Sequence, residues 1–237
     1  MPPLTWSILL FVSWLAATIS GVAGFGGSLI ILPVFSYIVG AKQAIPILTI
    51  AWMMGNIAKA VLGFSDIRWK PVVYFCLGAL PGALLGARIF INIPAGVVMK
   101  MIGVFLLCIV VLRQRKDLPA VPMSWFMPTG FIVGVCSSLF GSAGPIGAAA
   151  FSGLNLPAAA YVASEAVTAV VMHTAKTVLW GQYRLISEAD MMTGAILGLA
   201  MIIGSATGRM LIQRLNQKIF RMTVDILMTL AAASLLF

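Results

Sequence analysis

Carboxylates are scarce in this chain: six Asp and Glu stand against fifteen Lys and Arg, with one histidine and three cysteines. Without a carboxylate cluster, and with His173 alone, no ligand set exists for a catalytic zinc site. No Walker motif is present, so ATP hydrolysis by the chain itself is not expected. Gly141-Ser-Ala-Gly144 comes near a serine-protease pattern, but its order is wrong and no second histidine exists to serve it. Cys76, Cys108 and Cys136 are odd in number, lie in apolar runs and form no CxxC, and so read as small core residues. The first residues, Met1-Pro-Pro-Leu-Thr-Trp6, lack the basic region of a cleaved signal. Charge of either sign is low altogether, at 9% of residues, where a soluble domain carries about 25%.

What fills the chain is apolar sequence: 61% of its 237 residues are hydrophobic, and the mean hydropathy is +1.08. A multi-pass membrane protein is expected, all-α rather than a barrel because the apolar runs last about 17–25 residues. Almost nothing is left outside the bilayer for a soluble catalytic domain. An enzyme is not expected, and nothing asks for a cofactor or a metal. The net charge of +9 reads as orientation in the bilayer and contact with anionic lipid, with no nucleic acid implied. Apolar blocks cover residues 4–39, 44–64, 71–91, 96–112, 123–153, 157–180, 190–212 and 217–237. The one polar linker of any size, residues 113–122, divides a first transmembrane repeat (1–112) from a second (123–237).

The first block of each half is interrupted by glycine. Gly21-Val-Ala-Gly-Phe-Gly-Gly-Ser-Leu-Ile-Ile-Leu-Pro33 breaks residues 4–39, and Ser138-Leu-Phe-Gly-Ser-Ala-Gly-Pro-Ile146 breaks 123–153. Glycine at membrane depth weakens a helix and lets a backbone or ligand approach closely. At an offset of 117, Gly24 meets Gly141, Gly27 meets Gly144, Asn56 meets His173 and Lys59 meets Lys176. Later the offset grows to 121–122, where Gly82-Ala-Leu-Leu-Gly86 meets Gly204-Ser-Ala-Thr-Gly208 and Arg88 meets Arg209. Duplicated breaks of this kind are the sequence pattern of a transporter built from repeats.

Charge decides between two topologies. If each broken block crosses once, basic residues divide almost evenly between the two faces. If each crosses twice, Arg68, Lys70, Arg113, Arg115, Lys116, Arg209, Arg214, Lys218 and Arg221 share one face, and only Lys42, Arg88, Lys100 and Arg184 the other. The second arrangement satisfies the positive-inside rule, makes the halves an inverted repeat and puts both termini outside the cytoplasm. Eight to ten transmembrane segments are expected, with broken or re-entrant first helices.

Polar residues at membrane depth carry the functional reading, because a charge there costs at least about 2.5–3.5 kcal/mol. Lys59 and Lys176 would supply charge to a central anion site, and Asn56, Ser164 and His173 would donate hydrogen bonds. Backbone N–H groups at Gly24, Gly26, Gly27, Gly141 and Gly144 would complete it, since half-helix N-termini attract anions. The bland alternatives stay open: the lysines snorkel to the interface, His173 and Asn56 only bridge helices, and the glycines serve packing. Glu165, whose repeat counterpart is Leu48, is either an ion-coupling group or a partner for a lysine; it lies about 16 Å along its helix from Lys176, which leaves Lys59 as that partner.

The order Gly24-Phe-Gly-Gly27, Pro33, Asp66-Ile-Arg-Trp69 and Gly82-Ala-Leu-Leu-Gly-Ala-Arg88 resembles the TauE/SafE family of sulfite-exporter-like permeases. Gly141…Gly144, Ala163-Ser-Glu-Ala166, His173 and Gly204…Gly208-Arg209 repeat it in the second half, so the resemblance covers nearly the whole chain. Pro145, Ala148–Ala150 and Glu165 depart from the family pattern. The resemblance implies secondary transport of small sulfur-containing anions such as sulfite, thiosulfate or organosulfonates across the inner (plasma) membrane, by alternating access between the repeats. The expected partners are a small anionic substrate and the lipid bilayer, and a homodimer is compatible with the chain. The alternative is a non-transporting integral subunit or scaffold of a larger complex.

Overall fold

The computed structural model describes residues 2–23, 27–114, 121–141, 143–154 and 156–211. Gly24, Gly26, the linker basics Arg115 and Lys116, and the last apolar block with Arg214, Lys218 and Arg221 lie outside these residues. The described chain is helical without strands. In order come α1 (Pro3–Ala23), α2 (Gly27–Val39), α3 (Ala41–Leu62), α4 (Trp69–Asn92), α5 (Ala95–Gln114), α6 (Phe126–Leu139), α7 (Gly144–Ser152), α8 (Ala158–Gln182) and α9 (Glu188–Leu211). Four stretches, Pro3–Val22, Ala41–Leu62, Trp69–Asn92 and Glu188–Leu211, are long and apolar enough to cross a membrane. Large apolar side chains such as Leu4, Tyr37, Met192 and Met210 point outward, as a lipid-facing surface requires.

Both glycine-rich breaks are real, and both are reversals. A Cβ built on Gly27 would fall on the Ala16 carbonyl oxygen and lie 3.0 Å from Ser20 Cβ. In one continuous helix those eleven residues would span about 16 Å, so α2 turns back along α1. In the second half Gly141 takes a left-handed φ of 76°, which glycine alone adopts freely. Pro145 then opens α7, where a missing N–H costs nothing, and Val133 comes back within 3.8 Å of the Gly147 Cβ position. At 13 and 9 residues, α2 and α7 reach only part of the way across a bilayer.

The most extensive helix pairs run across the halves. Gly78, Gly82 and Gly86 of α4 press in turn on the backbone at Met127, Phe131 and Val135 of α6, so the two run in the same direction. In the same way Gly204 and Gly208 of α9 press on Trp14 and Thr18 of α1. The two interfaces occupy matching places in the halves, each joining the first helix of one half to the fourth helix of the other. In lipid there is no hydrophobic drive between helices, so such close approach of small residues is what holds them together. Alongside, α3 runs with α9: Gly194 meets Ile47 and Ile50, and the Ser205 hydroxyl donates to the Gly55 carbonyl at 3.0 Å. Against α8 it runs the opposite way, with Trp52 near His173 and Gly63 near Ala163.

Two apolar clusters close the bundle at either end. Phe75, Phe126 and Phe151 interlock with centroids 5.4–6.3 Å apart. At the other, Phe90 lies 5.2 Å from Trp180, whose indole N–H donates to the Ala87 carbonyl at 3.1 Å.

Candidate functional site

Between the clusters, where α1, α3, α6, α8 and α9 meet the starts of α2 and α7, lies a cavity of about 70 Å³. One water needs about 10–15 Å³ of such space, so a small anion with part of its hydration fits. Ser20, Gly27, Ser28, Trp52, Asn56, Lys59, Ser137, Gly141, Ala143, Gly144, Glu165, Thr168, His173 and Ser205 contribute to its wall. Equivalent positions line it from both sides: Ser20 with Ser137, Gly27 with Gly144, Asn56 with His173.

The lysines do not snorkel. Lys59 is 7% exposed and Lys176 fully enclosed. Lys59 Nζ donates to Ser20 Oγ at 3.0 Å; Lys176 Nζ donates to Ser137 Oγ at 3.1 Å and to the Ser137 carbonyl at 3.1 Å. Each lysine lies 39 residues after its serine, so this is one lysine–serine pair present twice. The copies differ in exposure to the cavity: Lys59 is part of the wall, whereas Lys176 stands behind Ser137. Glu165 and His173 stand on the same cavity wall as Lys59.

Three buried polar atoms of the wall residues, Trp52 Nε1, Asn56 Oδ1 and His173 Nδ1, have no hydrogen-bond partner among the described residues. An unsatisfied buried polar atom costs about 1–3 kcal/mol, so these atoms favour a polar occupant. Asn56 Nδ2 is already donating to the Trp52 carbonyl at 2.9 Å, which fixes its amide. The first turns of α2 and α7 reach the same wall at Gly27 and Ser28 and at Ala143 and Gly144. Helix N-termini carry unpaired N–H groups and a partial positive charge, which favour anions.

Of the residues singled out from sequence, Gly27, Asn56, Lys59, Gly141, Gly144, Glu165 and His173 share this cavity. Lys176 backs it. Ser164 stands outside the wall: its Oγ accepts the Arg68 backbone N–H at 2.9 Å at the start of α4. Ser20, Ser137 and Trp52 escaped the sequence reading. The serines had a signal, the same 117-residue offset as the lysines; a tryptophan inside an apolar run had none.

The class is therefore clear: a multi-pass α-helical membrane protein with a small, enclosed cavity that Lys59 lines. The TauE/SafE sulfite exporter family matches residues 9–235, and the chain belongs to that family. It is a family of membrane transporters for sulfur compounds. Neither the curated proteins nor the solved structures gave a significant match.

Proposed function

We propose that this protein is a secondary permease of the plasma (inner) membrane for small sulfur-containing anions: sulfite, thiosulfate or an organosulfonate. The observation that carries the reading is Lys59, a buried cation on the wall of a cavity that Trp52, His173 and two helix N-termini also face. Lys59 supplies the charge, and Trp52 Nε1, Asn56 and His173 fix orientation. Gly27, Gly141 and Gly144 keep the backbone close to the anion, with Gly24 and Gly26 assigned the same role from sequence. Lys176 adds its field from behind Ser137, and Ser164 steadies the start of α4 beside the site. Glu165, facing Lys59, is the candidate for coupling to a proton.

Residues 1–112 and 123–237 move against each other around this cavity as an inverted repeat joined by 113–122. Three features support that arrangement. The first and fourth helices exchange partners between the halves, as a twofold relation requires. Following the contacts from α1 through α9, α3, α8 and α4 to α6 gives α1 and α6 opposite directions. The contacts also set Arg209 beside Asp66 and Arg88 beside Tyr183, as the nine-to-four division of basic residues demands. Alternating access of one repeat against the other then exposes the site to each side in turn.

Flux into proteoliposomes tests the reading. Purified protein is expected to carry one of sulfite, thiosulfate, sulfate or a sulfonate saturably, and a proton gradient is expected to change the rate unless Glu165 is replaced by Gln. Absence of flux for all four from folded, monodisperse protein overturns the permease reading and favours an integral subunit of a larger complex.

A further inference from the structure

Beyond the central cavity, on the far side of Lys59, is a second cavity of about 30 Å³. Lys59 and Ser205 line both spaces, so the two adjoin at the lysine. Gly21, Ala163 and Arg209 form the outer part of the second. Arg209 Nη2 donates to Asp66 Oδ2 at 3.3 Å, with the two side chains 43% and 35% exposed, so the pair stands at the protein surface. A line therefore runs from the central cavity past Lys59 to a half-exposed guanidinium on the basic face of the membrane.

The other half does not repeat this path. Its equivalent arginine, Arg88, lies 4.5 Å over the ring of Tyr183, the residue that corresponds to Asp66. The space between Lys176 and Arg88 holds Trp180, fully buried, with Lys176 Nζ 5.8 Å from its ring. The counterpart of Trp180 is Gly63, where even a Cβ would lie 2.7 Å from Ala163 Cβ and 3.0 Å from Arg209 Nη1. What an indole fills in one half is taken in the other by Ala163 and the Arg209 guanidinium, which close on Gly63 beside the cavity they line.

We propose that the cavity between Lys59 and Arg209 is a second anion site, which holds the sulfur oxyanion between the central cavity and the basic, cytoplasmic face. In this site Arg209 exchanges the Asp66 carboxylate for the anion. The proposal rests on the permease reading above. Arg209 suits the exchange because a guanidinium binds a carboxylate and an oxyanion through the same fork of N–H donors. An exposed ion pair contributes little to stability, so opening it is cheap.

Arg209→Gln and Asp66→Asn separate this role from a structural one. Both break the ion pair; only the first removes the cation. Initial rates of sulfite flux are measured for the full-length protein in proteoliposomes, with Arg209→Lys as a variant that keeps the charge. Arg209→Gln is expected to raise KM for sulfite at least tenfold, Arg209→Lys less, and Asp66→Asn to lower KM severalfold by freeing the guanidinium. Equal losses in Arg209→Gln and Asp66→Asn, or no change in either, overturn the second site while wild-type flux leaves the permease reading standing. A wild type that carries no anion overturns both.

Discussion

Replacing Lys59 with Gln is expected to raise KM for the transported anion roughly tenfold to a hundredfold. A charge-assisted hydrogen bond contributes about 1.5–3 kcal/mol, which is that range of affinity. Lys59 is the lysine on the cavity wall, where the proposed anion would meet it directly. Lys176, enclosed behind Ser137, reaches the anion only through its field, and Lys176→Met is expected to cost a severalfold loss. One complication has a clean control. Lys59 and Glu165 share the buried wall of the cavity, and removing one of two opposite buried charges leaves the other with less compensation. Lys59→Gln alone could therefore lower flux by destabilising the fold. Lys59→Gln combined with Glu165→Gln removes both charges. If the loss is one of substrate binding, the double variant regains thermal stability and not affinity. If it regains affinity as well, Lys59 serves the fold and not the anion. Transport left intact when each lysine in turn becomes alanine sinks the central anion site altogether.

Much of the scaffold was legible in the sequence because membrane helices announce themselves by length and apolarity. The apolar blocks 44–64, 71–91 and 157–180 appear as α3, α4 and α8 within two or three residues of their bounds. Both breaks were legible for a local reason, since glycine runs disrupt a helix wherever they fall. Their consequence was less so: that α2 and α7 fold back shows in Gly27 meeting Ala16 and Gly147 meeting Val133, contacts no local pattern contains. The lysines show where one-dimensional reasoning stops. A lysine within a turn or two of a helix end reads equally well as snorkelling or as buried, and only the serine opposite each one decides. The second cavity lay further from reach. It is lined by Lys59, Ser205 and Arg209 from two helices, and nothing local in an apolar sequence brings those three together.

Gly82→Val and Gly204→Val are each expected to remove folded protein, read as loss of the monodisperse peak in size-exclusion chromatography. A Cβ at Gly82 would collide with the Phe131 carbonyl oxygen, and one at Gly204 with that of Trp14. The obstacle in both cases is backbone inside a helix, which cannot swing aside as a side-chain tip can. The helices must separate instead, and a gap of 0.5–1 Å already forfeits about a quarter to a half of each contact's dispersion energy. That loss runs along the whole interface, including the Ser138 hydroxyl that donates to the Ala83 carbonyl at 2.8 Å. Nothing compensates for it, because lipid tails give the separated helices no reason to reassociate. Gly96 and Gly181 provide the contrast: each is in a helix, and a Cβ at either meets nothing within 4 Å. Alanine at those two positions is expected to leave Tm unchanged or raise it, since glycine in a helix costs about 0.5–1 kcal/mol relative to alanine. Should Gly82→Val and Gly204→Val both purify with an unaltered Tm, the exchange of helices between the halves is wrong, and the twofold arrangement around Lys59 is wrong with it.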